Sequence, residues 1–237
     1  GSNIKLGNAG VVTATSFSGS GANLTGISAG LSTDVYFNTS GGIAALDSMT
    51  SGQAFNNTAI GFNALTAVTT ADGNTGIGAS AGQAITTGGG NVAVGQNALR
   101  TSTTGVNNVA VGNEALTNST TASYNTALGH DALGDVTTGR FNTAVGTGAG
   151  AKITTSENNT AIGYISLDVN TTGYDNTTVG SQSMGSNTTG SNNTAVGTWA
   201  LDANTTANDN TAVGANALTA NTTGVQNVGI GVSALAS

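Results

Sequence analysis

The sequence predicts an all-β protein, a parallel β-solenoid of about eleven rungs with a 17-residue period. Three observations predict it. The segment Asn57 to Leu65 recurs with its Asn at 57, 74, 91, 108, 125, 142, 159, 176, 193, 210 and 227, and every interval is the same. Each copy holds one short β-prone run, Thr-Ala-Val or a close variant, closed by a Gly. No copy sustains the i, i+3, i+4 apolar spacing of a helix, and so short a unit cannot hold two packed helices and a turn. Stacked at the roughly 4.8 Å spacing between strands, such rungs form a rod on the order of 50 Å long.

In chain order, residues 1–30 read as a connector, residues 31–56 as a cap or adaptor, and residues 57–237 as the repeat array. The cap, with Asp34-Val35-Tyr36-Phe37, is expected to cover the open edge of the first rung, which would otherwise template unwanted pairing. Within it only Ile43 falls where Ile60 would sit one period earlier. The Gly1-Ser2 opening and a last copy that breaks off before its Thr pair lead us to expect that the native protein is longer.

Stacking turns every repeat position into a column. The first is Asn, expected to form an amide ladder at a tight corner. The fourth is always Val, Ile or Leu, from Ile60 to Ile230, and is expected to face a dry interior. The third, Ala or Gly except at Thr178, then points the other way, because a strand sends successive side chains to opposite faces. Its small size predicts close approach by a neighbouring chain, and with a core this thin we expect an oligomer along the rod axis, most simply a homotrimer. The fifth is Gly, suited to a turn or to positive φ. The ninth, mostly Leu but Met184 once and Gly82 and Gly150 elsewhere, completes the core. A second short strand is expected around the Thr pair at the thirteenth and fourteenth positions, Thr69-Thr70 to Thr222-Thr223.

Composition removes several function classes. Four basic residues against 11 acids give a net charge of −7, without the basic surface that nucleic acid or an anionic membrane requires. No apolar run approaches a membrane span, and the absence of Cys removes thiolate chemistry and Cys-based metal sites. Metal and cofactor sites are not expected. His130 beside Asp131 has no second His and reads as a solvated surface pair. Asp72, Asp175 and Asp209 occupy turn positions and reproduce no calcium-binding repeat. Gly88-Gly89-Gly90 lacks the Lys-Ser/Thr of a phosphate loop. With no convergent acid pair or Ser-His-acid set, no catalytic residue is assigned and an enzyme is not expected.

The Asn-Thr-Ala-Val-Gly units with intervening Thr-Thr-Gly resemble repeats of bacteriophage tail fibres, particularly those of marine phages. The stretch Gly10 to Ile27 is similar to a segment common in the same proteins. The core of the unit also resembles the head repeats of trimeric autotransporter adhesins of the YadA type, although those rungs are shorter. The resemblance implies a left-handed coil, a homotrimer and a fibre segment of a virion that presents a receptor-binding tip for host attachment. The alternatives are a bacterial cell-surface adhesin head and an ice-binding β-solenoid, the latter suggested by the regular Thr columns.

Function, if written in this segment, falls at the variable corners. Phe62, His130, Tyr164, Ile165 and Trp199 lie at the sixth and seventh positions; Tyr124, Arg140, Phe141 and Tyr174 lie at the last two. Tyr and Trp offer an apolar face and a polar edge, so Tyr124, Arg140, Phe141 and Tyr174 are the candidate contacts for a cell-surface glycan. The expected partners are copies of the chain and a glycan or protein receptor. Asn-x-Thr/Ser triplets such as Asn118, Asn170, Asn187, Asn204 and Asn221 follow from composition and are not read as glycosylation sites.

Overall fold

The computed structural model describes residues 32–49 and 53–236; the match at Gly10 to Ile27 lies outside them. Strands β1 (Ser32–Thr33) and β2 (Thr39–Gly41) form an antiparallel pair. Each repeat then contributes one strand: β3 (Thr58–Ile60), β4 (Thr75–Ile77), β5 (Val92–Val94), β6 (Val109–Val111), β7 (Thr126–Leu128) and β8 (Thr143–Val145). The series continues with β9 (Thr160–Ile162), β10 (Thr177–Val179), β11 (Thr194–Val196), β12 (Thr211–Val213) and β13 (Val228–Ile230). They pair in sequence order as one parallel sheet, and from β3 onward each residue faces its counterpart one period on. This is the parallel β-solenoid expected from the period.

The Asn column is the axis of polar order. Asn142 is typical: its Nδ2 donates to Asn125 Oδ1 at 3.2 Å and to the Ser156 carbonyl of its own rung at 2.9 Å. Its Oδ1 accepts from the backbone N–H of Asn159 at 3.0 Å and from Asn159 Nδ2 at 3.1 Å. One side chain therefore closes its own rung and locks the next in register, leaving no amide group unpaired at a buried corner. The ladder starts one turn earlier than the regular spacing suggests. Asn38 Oδ1 accepts from Asn57, and its own Nδ2 ends on the Asp34 carboxylate at 3.0 Å. Thr39-Ser40-Gly41 pairs with Thr58-Ala59-Ile60, so Gly41, and not Ile43, is the partner of Ile60.

The sides of the strand are the reverse of those expected. The third position is the interior one: Ala59, Ala93, Ala144 and Ala212 are fully buried within their own chain. The fourth points outward, with Ile60 36% and Leu128 48% exposed. The reason is the ninth position, whose Leu side chain already fills the space under the strand. At Gly76 an added Cβ would lie 2.8 Å from Leu65 Cγ, too close for even a methyl group, and the rungs that do carry a side chain here bury nothing larger than Ala, or Thr178 once. The Ala column is thus explained by the chain's own core, and close approach of a second backbone is not needed to account for it.

Leu65, Leu99, Leu116, Leu133, Leu167, Met184 and Leu201 are fully buried, as the core assignment of the ninth column requires. They hold φ near +50°, a conformation that costs a non-glycine residue roughly 1–2 kcal/mol. Burial of the isobutyl group, worth about 1.5–3 kcal/mol, offsets it. The twelfth position, unassigned from sequence, is the third interior column and compensates the ninth. Where the ninth is Gly82 or Gly150, the twelfth is Ile85 or Ile153, whose Cδ1 stands 3.0 Å from where the missing Cβ would be. Toward the end of the array the same column becomes a second buried amide ladder, with Asn187 donating to Asn170 and Asn204 to Asn187, each at 2.9 Å. Thr178, the exception in the third column, donates to the Thr160 carbonyl, and its hydroxyl lies 2.7 Å from Ser166 Oγ.

The fifth-position glycines have φ from 120° to 141°, and a Cβ on Gly146 would sit 2.4 Å from the carbonyl oxygen of Gly163. Only glycine fits this corner. The Thr pair, in contrast, forms no second strand among the described residues. Both N–H groups, of Thr69 at 3.1 Å and Thr70 at 3.4 Å, converge on the Thr86 carbonyl, which breaks the alternation a strand needs. The Thr69 hydroxyl donates to the same oxygen, and this bond recurs along the column to Thr188 and Thr205.

Candidate functional site

Two surfaces depart from the polar exterior expected of a solvated rod. The first is the outer face of β3 to β13. There the second position, Thr or Val, and the fourth, Val, Ile or Leu, lie on one side of the strand, so one continuous aliphatic column runs from Ile60 to Ile230. All its members are exposed or half-buried in the single chain. An apolar strip of this length exceeds the scattered exposure usual on a monomer surface.

The second surface is the corner at the sixteenth and seventeenth positions. The seventeenth has positive φ in every rung and is mostly filled by residues that tolerate it, such as Gly73, Gly90, Asn107, Asn158, Asp175, Asn192 and Asp209. Two rungs break the pattern. Tyr124 and Phe141 hold φ of 62° and 60°, and their rings stack with centroids 5.2 Å apart and planes 11° from parallel. Each residue is 50% exposed. Beside Phe141, Arg140 Nε pairs with Glu157 Oε1 at 3.1 Å. Tyr174 lies at the same corner, and with Glu157 and Asn158 it lines a shallow groove of about 310 Å³. Stacking therefore gathers Tyr124, Arg140, Phe141 and Tyr174 onto one corner over successive rungs, with Glu157 as a member that sequence reasoning missed. The signal for Glu157 was its place one full period after Arg140.

The remaining polar residues form ladders of a simpler kind. Asn118 Nδ2 and Lys152 Nζ both donate to Asp135, each at 2.9 Å. Partial burial pushes the Asp131 and Asp168 carboxyls above the usual carboxylate range, with Lys152 opposing the shift in both. The hydrogen bond to Asp135 raises Lys152. His130 lies next to Asp131, and among the described residues no group of three or more His, Cys, Asp or Glu could hold a metal ion. Trp199 Nε1 donates to Gln182 Oε1, so Trp199 is tied to its neighbouring rung. No helix among the described residues is long and apolar enough to cross a membrane.

No protein-family model, curated protein or solved structure matches the chain. The functional reading therefore stands on its own columns.

Proposed function

We propose that the chain is a structural segment of a homotrimeric fibre, a stiff rod that holds a receptor-binding part at a distance from the body that carries it. The outward aliphatic column is the observation that supports this reading. Every rung leaves one Val, Ile or Leu half-buried or exposed, and covering it would contribute about 1 kcal/mol per chain and rung. A column parallel to the rod axis is covered along its whole length by copies that run side by side with it. Three copies around one axis do so with all chains equivalent.

The rung architecture suits a mechanical role. Each interface between rungs repeats the same ladder of Asn side chains, backbone bonds and Leu contacts, so stiffness is spread evenly and depends on no single site. The resemblance of the Asn-Thr-Ala-Val-Gly unit to phage fibre repeats makes a virion tail fibre the preferred owner, with a bacterial adhesin head as the alternative. The amino-acid sequence on either side of this segment separates the two owners. Sedimentation and native mass spectrometry of the purified chain test the assembly, and a monomer at micromolar concentration refutes it.

One observation favours a second reading. The outer face alternates Thr with an aliphatic residue, as in Thr143 and Val145, in a regular array. Such a face could order water as an ice-binding solenoid does. Thermal hysteresis of the purified chain supports that reading, and its absence removes it.

A further inference from the structure

We infer that the corner built by Tyr124, Arg140, Phe141, Glu157 and Tyr174 is a carbohydrate-binding site that takes a neutral oligosaccharide along the rod axis. The inference names a site for receptor contact within the proposed fibre, but it depends only on the corner of a single chain. In an array where almost every residue is explained by its column, this corner gathers departures on adjacent rungs, whereas the bulky positive-φ residues of the seventh column, Ile165 and Trp199, stand two rungs apart. The departures at the corner are costly. A bulky aromatic side chain at positive φ is a genuine outlier, and a strained residue of this kind costs of order 1–3 kcal/mol where Gly, Asn or Asp costs less. Folding does not require it, since eight other rungs make the same turn without an aromatic residue: Gly73, Gly90, Asn107, Asn158, Asp175, Asn192, Asp209 and Gln226.

The chemistry of the corner selects the ligand. The stack of Tyr124 on Phe141 stops after two rings, because Asn158 follows in the column. A flat apolar face at the end of a stack accepts another flat apolar face, and the C–H face of a pyranose is one. Beyond Phe141 the groove offers groups suited to sugar hydroxyls: the Glu157 carboxylate, the Asn158 amide and the hydroxyls of Thr155 and Thr172, with Tyr174 also in its lining. A polyanion is disfavoured, since Arg140 is the one cation of the corner and is paired with Glu157, on a chain of net charge −7. An extended peptide that adds a strand is disfavoured as well, because the strands at this level, β7 to β9, are paired on both sides. From Tyr124 to Tyr174 the corner spans three rung steps, roughly 14 Å, which accommodates a short oligosaccharide.

The test uses the intact chain on an immobilised panel of neutral and acidic oligosaccharides, beside the variants Phe141→Asn and Tyr174→Ser. Both variants install residues that their columns already use elsewhere, Asn107 and Ser123 among them. The expected result is retention of the wild-type chain on at least one neutral oligosaccharide, with binding at least tenfold weaker in Tyr174→Ser. Phe141→Asn is expected to lose binding while its thermal midpoint stays level or rises. The inference is overturned if the wild-type chain binds no sugar of the panel or only acidic ones, or if both variants bind as well as wild type. It is also overturned if Phe141→Asn lowers the midpoint or dissociates the assembly, since the rings then serve packing. Oligomeric state measured on the same samples keeps this outcome separate from that of the fibre reading.

Discussion

Replacing Asn142 by Ala removes one rung of the amide ladder and strands two groups. The Asn159 backbone N–H loses its acceptor at 3.0 Å, and the Ser156 carbonyl loses its donor at 2.9 Å. Asn125 Oδ1 keeps the Asn142 backbone N–H at 2.9 Å, so the damage is confined to one side of the ladder. Asn142 is 1% exposed, and each buried group left unpaired costs about 1–3 kcal/mol, giving an expected loss of about 2–6 kcal/mol. Asn142→Asp is the sharper variant. Its carboxylate would face Asn125 Oδ1 and the Ser156 carbonyl where the amide now donates, so burial and repulsion would raise its folded pKa above the unfolded value of about 3.9. A carboxyl raised in this way is tolerated below the unfolded pKa and becomes increasingly destabilising as pH rises toward the folded one. Amide hydrogen exchange at Asn159, followed with thermal unfolding from acidic to neutral pH, reads both effects. The ladder is refuted as a source of stability if Asn142→Ala leaves Asn159 protected and costs less than about 0.5 kcal/mol, the range of ordinary surface changes.

Three further outcomes follow from the columns. Gly146→Ala places a Cβ 2.4 Å from the Gly163 carbonyl at a φ of 134°, and should destabilise by at least about 3 kcal/mol in chemical denaturation. Ser119→Ala removes a buried hydroxyl that has no partner among the described residues, and should stabilise by about 1 kcal/mol in the same assay. Asp168→Asn removes a carboxyl whose folded pKa burial raises, a shift that Lys152 opposes. Its stability gain should therefore be present at neutral pH and vanish below the unfolded pKa of about 3.9, as measured by thermal midpoints across that range.

Much of the fold was legible because a period is insensitive to detail. The unbroken spacing of Asn57 to Asn227 placed one strand in each rung, and Leu65 and its copies marked a dry column. Strand alternation also told correctly that Ala59 and Ile60 face opposite sides. Which side is inside was not legible, because size alone suggested that Ile60 belongs in the core. The deciding contact, plain at Gly76, is with Leu65 of the rung before, and only the closed coil brings the two together. Asn38 was hidden because it stands 19 positions before Asn57, out of step with the period, and puts Gly41 where an aliphatic residue stands elsewhere. The twelfth column was hidden by its variety, Val68, Ile85, Ser102 and Asn170 sharing burial but no chemistry. At the candidate corner the aromatic residues were visible as departures from the repeat. Glu157 was not, because an exposed acid is unremarkable until its partner Arg140 is one rung away.

The reversal at the third and fourth positions also moves the expected surface of association. Alanines whose small size invited a second backbone are enclosed by their own coil, and the aliphatic residues assigned to the interior are the ones that face outward. Sedimentation equilibrium of the purified chain at micromolar concentration measures this directly. Three copies per particle, falling to one when Leu128, Val145 and Ile162 of the fourth column are changed to Asp, is the predicted result. A wild-type chain that remains monomeric with that column exposed to water contradicts the account.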